Sequence, residues 1–324
     1  MSDAIFLDEF DRTTALSNAK TWMYLIQELD NPENLAALAA TEYPFVVVEP
    51  TFTNEETRNF DVRGMVEKLR FTPSGERRLV IAYIDIGEAE KGRFYWKDDW
   101  VEPIGDQPGQ PGHPGQPSFL IAPDPDGWMD MFRVRFWDSE WQSLWIKEGG
   151  LIQQLAEIGF DGVYLDWVQG YAYFDSHDET LKDVGIDPAT EMVEFIRRIR
   201  RVGRQITPDF LIIGQNAREL LTEAPDYAQV IDGAGFEDTW FKGLADSDWN
   251  DPCGGDIPTN PKETETMVKQ ATKFLEQNIP VFTIDYSLKP DVAAQVYRDS
   301  RSYGFVPLVS RVSLSRVTET PPPD

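Results

Sequence analysis

Residues that carry redox and metal chemistry are scarce in this chain. Of 324 residues only Cys253 is a cysteine, so no intramolecular disulfide can form, and no nearby histidine is present to activate its thiol. His113 and His177 are too few for a histidine-rich metal centre. The one mixed cluster, Asp175, His177 and Asp178, reads as a solvated acidic loop, so neither metal nor cofactor is expected. Basic residues are also in deficit. Thirty Lys and Arg against 56 Asp and Glu give a formal charge of −26, which repels phosphate backbones and anionic lipid surfaces and suits solubility. Nucleic acid is thereby excluded as a partner, while a cationic polymer stays compatible.

Long apolar runs are missing too. Nothing approaches the roughly 20 residues needed to span a bilayer, and Met1 to Phe10 lacks the basic start and apolar stretch of an export signal. The chain reads as soluble, with no membrane partner and no signal peptide: cytoplasmic as given, secreted if an export signal was removed. Its oligomeric state is unknown from sequence. No glycine-rich phosphate loop follows the first strand, and no Gly-x-Ser-x-Gly elbow occurs.

What is present is a βα rhythm. Eight apolar runs bounded by turn residues are predicted as parallel strands: 22–27, 45–49, 79–86, 162–166, 211–216, 230–237, 281–286 and 305–310. Strands covered on both faces should be nearly continuous in apolar residues, as Phe45-Val46-Val47-Val48 and Leu79-Val80-Ile81-Ala82 are. Between them lie helical stripes at i, i+3, i+4, i+7: Val62, Met65, Val66, Leu69; Leu151, Ile152, Leu155, Ile158; and Met192, Phe195, Ile196, Ile199 behind Pro188. The expected fold class is α/β, a (β/α)8 TIM-like barrel forming one domain over 1–317. A Pro/Gly-rich insertion, about 89–140, separates the third and fourth barrel strands. It contains the run Gln107 to Pro117, and Phe132 to Asp138 alternates as an extra strand. Thr318 to Asp324 reads as a disordered tail.

In such a barrel chemistry sits at the C-terminal ends of the strands. Those ends carry Gln27 and Glu28, Glu49, Asp85 and Glu88, Asp166, Gln215 and Asn216, Glu237 and Asp238, and Asp285 with Tyr286. Buried singly, each acid would need a partner. Gathered around one wet pocket, they can do work. Glycoside hydrolysis requires two carboxyl groups flanking the scissile bond, one protonated and one ionised, and Asp166 and Glu237 are the candidate pair. Gly235 leaves room for close backbone approach beside Glu237. Ten tryptophans add apolar surface of the kind sugar faces stack on, with Trp167, adjacent to Asp166, the preferred platform. Trp137, Trp141 and Trp145, spaced by four, are expected on one helical face that fastens the insertion to the barrel.

The ordered motifs Tyr83-Ile84-Asp85-Ile86-Gly87-Glu88-Ala89-Glu90, Gly159-Phe160-Asp161-Gly162-Val163-Tyr164-Leu165-Asp166, Gln215-Asn216, Phe236-Glu237 and Ile284-Asp285-Tyr286-Ser287 resemble glycoside hydrolase family 114, of the endo-α-1,4-polygalactosaminidase type. The resemblance runs from about Trp22 to Ser310. It implies cleavage of α-1,4-linked galactosamine or N-acetylgalactosamine polymers with Asp166 and Glu237 catalytic. Tyr83, Asp85, Glu88, Trp167, Gln215, Asn216, Asp285 and Tyr286 would bind substrate. The accompanying mechanistic expectation is retention, with Asp166 as nucleophile and Glu237 as an acid/base whose pKa is raised by a partly dry pocket. The alternatives are a carbohydrate-binding barrel without turnover and a hydrolase of another α-glycan.

Overall fold

The computed structural model describes residues 10–105, 113–177 and 185–323. Of the insertion's Pro/Gly run, residues 107–112 lie outside them, as does Asp178; the side chains of Asp175 and His177 are likewise not described.

Thirteen strands are present among the described residues: β1 Met23–Leu25, β2 Phe45–Val48, β3 Leu79–Asp85, β4 Glu88–Glu90, β5 Leu120–Pro123, β6 Met131–Val134, β7 Gly162–Asp166, β8 Leu211–Gln215, β9 Gly233–Glu237, β10 Phe241–Lys242, β11 Ile257–Pro258, β12 Val281–Tyr286 and β13 Val306–Ser310. Eight of them form one parallel sheet in the order β1-β2-β3-β7-β8-β9-β12-β13, so every run predicted as a barrel strand contributes one strand. The ends are trimmed most at the first run, which keeps only Met23–Leu25, and at the sixth, where residues 230–232 precede β9 rather than belong to it. The end strands meet through side-chain and loop contacts. Trp22 Nε1 donates to the Val306 carbonyl at 3.1 Å, and the amides of Ile26 and Gln27 donate to the Leu314 carbonyl at 3.0 and 3.3 Å. The result is a nearly closed TIM-like barrel.

Helices α1 Arg12–Asn18, α2 Pro32–Ala39, α3 Val62–Leu69, α4 Ser139–Ile146, α5 Leu151–Ile158, α6 Gly170–His177, α7 Pro188–Ile206, α8 Leu220–Glu223, α9 Pro261–Glu276 and α10 Pro290–Ser302 complete the fold. The three stripes read from sequence fall on α3, α5 and α7, and nearly all of their residues are buried. Proline at the first turn of α7 has no N–H to leave unpaired, and Gly159 ends α5 in the left-handed conformation at φ 109°. No helix among the described residues is long and apolar enough to cross a membrane.

Aromatic rings fill the barrel interior. Trp22 stacks on Tyr24 and Phe45 at 5.8 and 5.7 Å between centroids, and Tyr24 approaches Tyr164 at 5.1 Å. Gly235 makes this packing possible, since a β-carbon there would lie 2.0 Å from the Tyr164 hydroxyl.

Between β3 and β7 the chain builds an antiparallel sheet in the order β4-β6-β5 and then α4. The strand expected over Phe132 to Asp138 ends at Val134, because the Asp138 side chain caps α4 by accepting from the Glu140 amide at 2.8 Å. Trp137 therefore precedes the helix and packs on Phe136 and Phe174, apart from the face shared by Trp141 and Trp145. Trp141 donates its indole N–H to the Ile86 carbonyl at 2.9 Å and packs on Tyr95 and Phe119, tying the insertion to the end of β3. The segment read as a disordered tail is held against the barrel through Thr320. Thr318 is buried and donates to the Val309 carbonyl at 2.5 Å, while Tyr297 donates to the Thr320 carbonyl at 2.8 Å. Short hydroxyl-to-carbonyl bonds replace the apolar burial that this sequence lacks.

Candidate active site

Strand ends β7 and β9 put Asp166 and Glu237 on the wall of one cavity of about 360 Å³, together with Tyr83, Glu88, Trp167, Gln215 and Tyr286. A backbone device recurs here. Trp167, Asn216 and Asp238, each the first residue past a barrel strand, have φ of 56°, 57° and 60°. Non-glycine residues seldom adopt that region, and their concentration at the C-terminal mouth of the barrel is the pattern of strain held in place by surrounding structure. At β7 the turn brings Trp167 against Gly87, where a β-carbon would lie 2.4 Å from the Trp167 carbonyl oxygen.

Asp166 accepts from the Trp167 amide at 2.7 Å and from the Tyr83 hydroxyl at 2.6 Å. Burial, reinforced by the nearby Glu237 charge, outweighs those donors and pushes its carboxyl up to about 7. Glu237 accepts from the Gln215 amide, the Tyr286 hydroxyl and Asn216 Nδ2, the last at 2.9 Å. Its own backbone amide donates to Asn216 Oδ1 at 3.0 Å. Tyr83, Gln215, Asn216 and Tyr286, expected to touch substrate, thus hold the two carboxyl groups, and Asn216 faces a neighbouring cavity instead of this one. The carboxyl pushed upward is thus that of Asp166, the residue expected to act as nucleophile.

Two expected ligands for substrate are turned away. Asp85 Oδ1 accepts from the amides of Gly87 and Glu88 at 2.9 and 2.8 Å, and fully buried Asp285 accepts from the amides of Trp240 and Phe241 at 2.6 and 2.9 Å. Both shape the loops that leave their strands, and neither lines the cavity of Asp166 and Glu237. Glu88 does line it, although fully buried, and neither of its oxygens meets a donor. Burial, with Asp85 and Asp124 beside it, pushes its carboxyl up to about 12. Glu88 therefore keeps its proton and can donate to Asp124, whose Oδ2 is also buried without a donor.

Loops supply the rest of the wall. Trp128, Met129 and Met131 come from the insertion, Asp246 to Trp249 from the segment between β10 and β11, and Val312 to Ser315 from beyond β13. The two lips touch where the Met129 amide donates to Asp246 Oδ2 at 3.1 Å. Trp128 is 37% exposed and Trp167 is 8% exposed, so Trp128 offers the more open ring to a sugar face. Composition showed these residues, but their place at the rim follows from loop paths that carry no periodicity. Among the described residues no group of three or more His, Cys, Asp or Glu is arranged to hold a metal ion.

The model of glycoside hydrolase family GH114 matches residues 11–322. The chain belongs to this family. An uncharacterised protein of Deinococcus radiodurans is 28% identical to this GH114 chain over 286 residues, 87% of this chain and 78% of that protein. An uncharacterised protein of Thermotoga maritima is 22% identical over 269 residues, 82% of this chain and 70% of that protein. Among solved structures, the glycoside hydrolase domain of PelA from Pseudomonas aeruginosa superposes with a TM-score of 0.62 at 16% identity, covering 93% of this chain and 98% of that one. At that identity the likeness speaks to the fold, which is that of TIM-barrel glycoside hydrolases.

Proposed function

We propose that this GH114 protein hydrolyses α-1,4-linked galactosamine/N-acetylgalactosamine polysaccharide through the carboxyl groups of Asp166 and Glu237. The reading rests on one observation: both acids line a single cavity whose charge is strongly unbalanced. Glu28, Glu49, Glu88, Glu90, Asp166, Glu237, Asp246 and Asp248 face it against Arg93. Arg93 is committed to Glu49 and Glu90, and Glu88 is neutral, so Glu28, Asp246, Asp248 and the catalytic pair remain to attract a cation. An unacetylated amino sugar supplies that cation on a ring whose hydroxyls suit the surrounding amides and phenols.

With its carboxyl pushed up to about 7, partly by the Glu237 charge, Asp166 holds a proton in about half of the molecules around neutral pH. That is the resting state a two-carboxylate glycosidase needs, one group to protonate the leaving oxygen and one to attack or to activate water. Tyr83, Gln215, Asn216 and Tyr286 fix the two side chains in position before substrate arrives.

The test is incubation with partly deacetylated galactosaminan, scoring new reducing ends against a panel of uncharged α-glycans. Binding without new ends would make the protein a carbohydrate-binding barrel, and preferential cleavage of another glycan would replace the substrate. Azide rescue of glycine variants at 166 and 237 then assigns the roles. A glycosyl azide of inverted anomeric configuration identifies the nucleophile position, and one of retained configuration the acid/base position.

A further inference from the structure

Glu88 and Asp124 form a buried acid pair behind the cavity wall. Glu88 opens β4 opposite Arg133 of β6, and Asp124 follows β5 on the other side of β6, its amide donating to the Met131 carbonyl at 2.9 Å. Asp124 Oδ2 and both Glu88 oxygens are shut off from solvent and meet no N–H or O–H donor among the described residues. They are closed to the cavity as well, so Glu88 does not present its carboxyl oxygens to a ligand there. The two side chains instead lie within hydrogen-bonding reach of each other. Arg133, the cation nearest in the sheet, turns its guanidinium over the Tyr173 ring, 3.4 Å from the centroid. Two buried carboxylates side by side cannot both stay ionised, and one proton placed between them satisfies both. Glu88 is the donor of that bond, and Asp124 the acceptor.

Asp124 gives its other oxygen to the loop that follows. Oδ1 accepts from the amides of Asp126, Gly127 and Trp128 at 2.7, 2.7 and 3.0 Å, so a single atom fixes three consecutive residues and the root of the Trp128 side chain. Gly127 supplies the left-handed turn at φ 101°. On the far side the Met129 amide donates to Asp246 Oδ2 at 3.1 Å, which braces the loop against the opposite lip. Trp128 is therefore held between two fixed points on the wall of the cavity that Asp166 and Glu237 share, with its ring partly open. An indole on a braced loop loses little freedom when a sugar ring stacks on it.

We propose that Glu88 is a positioning residue: through Asp124 it holds the Trp128 ring as the platform on which an outer sugar unit of the bound glycan stacks. Asp246 and Asp248 stand on the lip that this loop touches, so the ammonium of that unit meets an anion in the same cavity. The inference rests on the substrate reading above and adds to it a subsite and the support of that subsite.

The experiment reads Trp128 directly and reads binding apart from turnover. In protein grown with fluorinated tryptophan, the fluorine resonance of Trp128, assigned by its loss in Trp128→Phe, should shift or broaden in Glu88→Leu. It should keep the parent position in Glu88→Gln, whose amide still donates to Asp124. Asp124→Ala, at a half-buried position, is a second disruption and should reproduce Glu88→Leu. Melting curves confirm that each variant is folded. Calorimetry then uses Glu237→Gln protein and a galactosamine hexamer. Affinity should fall about fivefold or more with Trp128→Ala, Glu88→Leu or Asp124→Ala, stay within about twofold of the parent with Glu88→Gln, and fall no further when Glu88→Leu is added to Trp128→Ala. In otherwise unaltered protein, Glu88→Leu should raise KM for galactosaminan about fivefold or more with kcat nearly unchanged. A Trp128 resonance unmoved by both disruptions, parent-like affinity in Trp128→Ala, additive losses in the double variant, Glu88→Gln as damaging as Glu88→Leu, or no binding of the hexamer overturns the proposal. Hexamer binding that follows the variant pattern without new reducing ends from any polymer keeps it and removes hydrolysis.

Discussion

At the N-terminal end of the barrel, Asp161 and Asp232 stand just ahead of β7 and β9, and arginines meet both. Asp161 accepts from Arg12 Nε at 2.8 Å, from Arg77 Nη2 at 2.6 Å and from the Val80 amide at 2.9 Å; Asp232 accepts from Arg200 at 2.6 and 3.0 Å, from Arg204 at 3.2 Å and from the Ile212 amide at 2.9 Å. At the opposite end of the barrel, Asp85, Glu88, Asp166 and Asp285 have no arginine or lysine ion pair among the described residues, and Glu88 and Asp285 are fully buried. Their carboxyl groups are pushed upward, chiefly by burial. One end spends its arginines on neutralising carboxylates and fastening strands to helices. The other leaves acids uncompensated, which is destabilising in isolation and useful where protons are moved or a cation is bound.

The contrast breaks most sharply at the proposed catalytic pair. Asp166→Asn and Glu237→Gln should each lower reducing-end release by about a thousandfold or more while leaving the melting temperature within a few degrees of the parent or above it. An active variant would remove that residue from the chemistry. Next, Asp161→Ala removes a buried carboxylate shared by Arg77 and by Arg12, which keeps Asp209, and should destabilise the fold by about 3–5 kcal/mol in urea unfolding, with the midpoint shifted and any surviving native protein still cleaving. A smaller loss would mean that the remaining contacts of the two arginines suffice to hold the lower end.

A third measurement is the pH profile. Above about 7 Asp166 loses its proton, and kcat/KM should fall about tenfold per pH unit; a flat profile to pH 9 would deny Asp166 its titration. The smallest effect is at Glu88. Its folded value lies above that of an unfolded carboxylate, so its contribution to stability is fully present below about 4.5 and declines as pH rises toward its folded value near 12. Glu88→Gln removes that dependence. The variant should melt higher than the parent at pH 9 by a margin that shrinks toward pH 5.

How much of this was legible in the sequence depends on whether a feature repeats. The β3 run is nearly continuous because the strand is covered on both faces, and the α7 pattern is periodic because the helix buries one face, so strand runs and helical stripes could be read directly. Asp166 and Glu237 were legible because strand ends in a barrel have a fixed destination. Asp85 and Asp285 occupy equivalent positions, yet local amides two and three residues beyond Asp85, and those of Trp240 and Phe241 near Asp285, capture their oxygens. Such turns compete with outward presentation and leave no trace in residue type. Trp137 misled through its spacing of four; the capping residue Asp138 was the overlooked signal. The rim from Trp128 and Asp246 to Trp249 joins segments more than a hundred residues apart, and only the folded chain brings them together.

Because Trp22 and Leu314, rather than a ladder of paired amides, join β1 to β13, the cylinder has a seam. Amides along β1 and β13 on either side of it have fewer backbone partners to lose than those of β7 and β8, so thermal opening should begin there and exchange with deuterium should reach these strands first. The seam lies away from β7 and β9, which lets the cylinder breathe on one flank while the carboxyl groups of Asp166 and Glu237 keep their spacing.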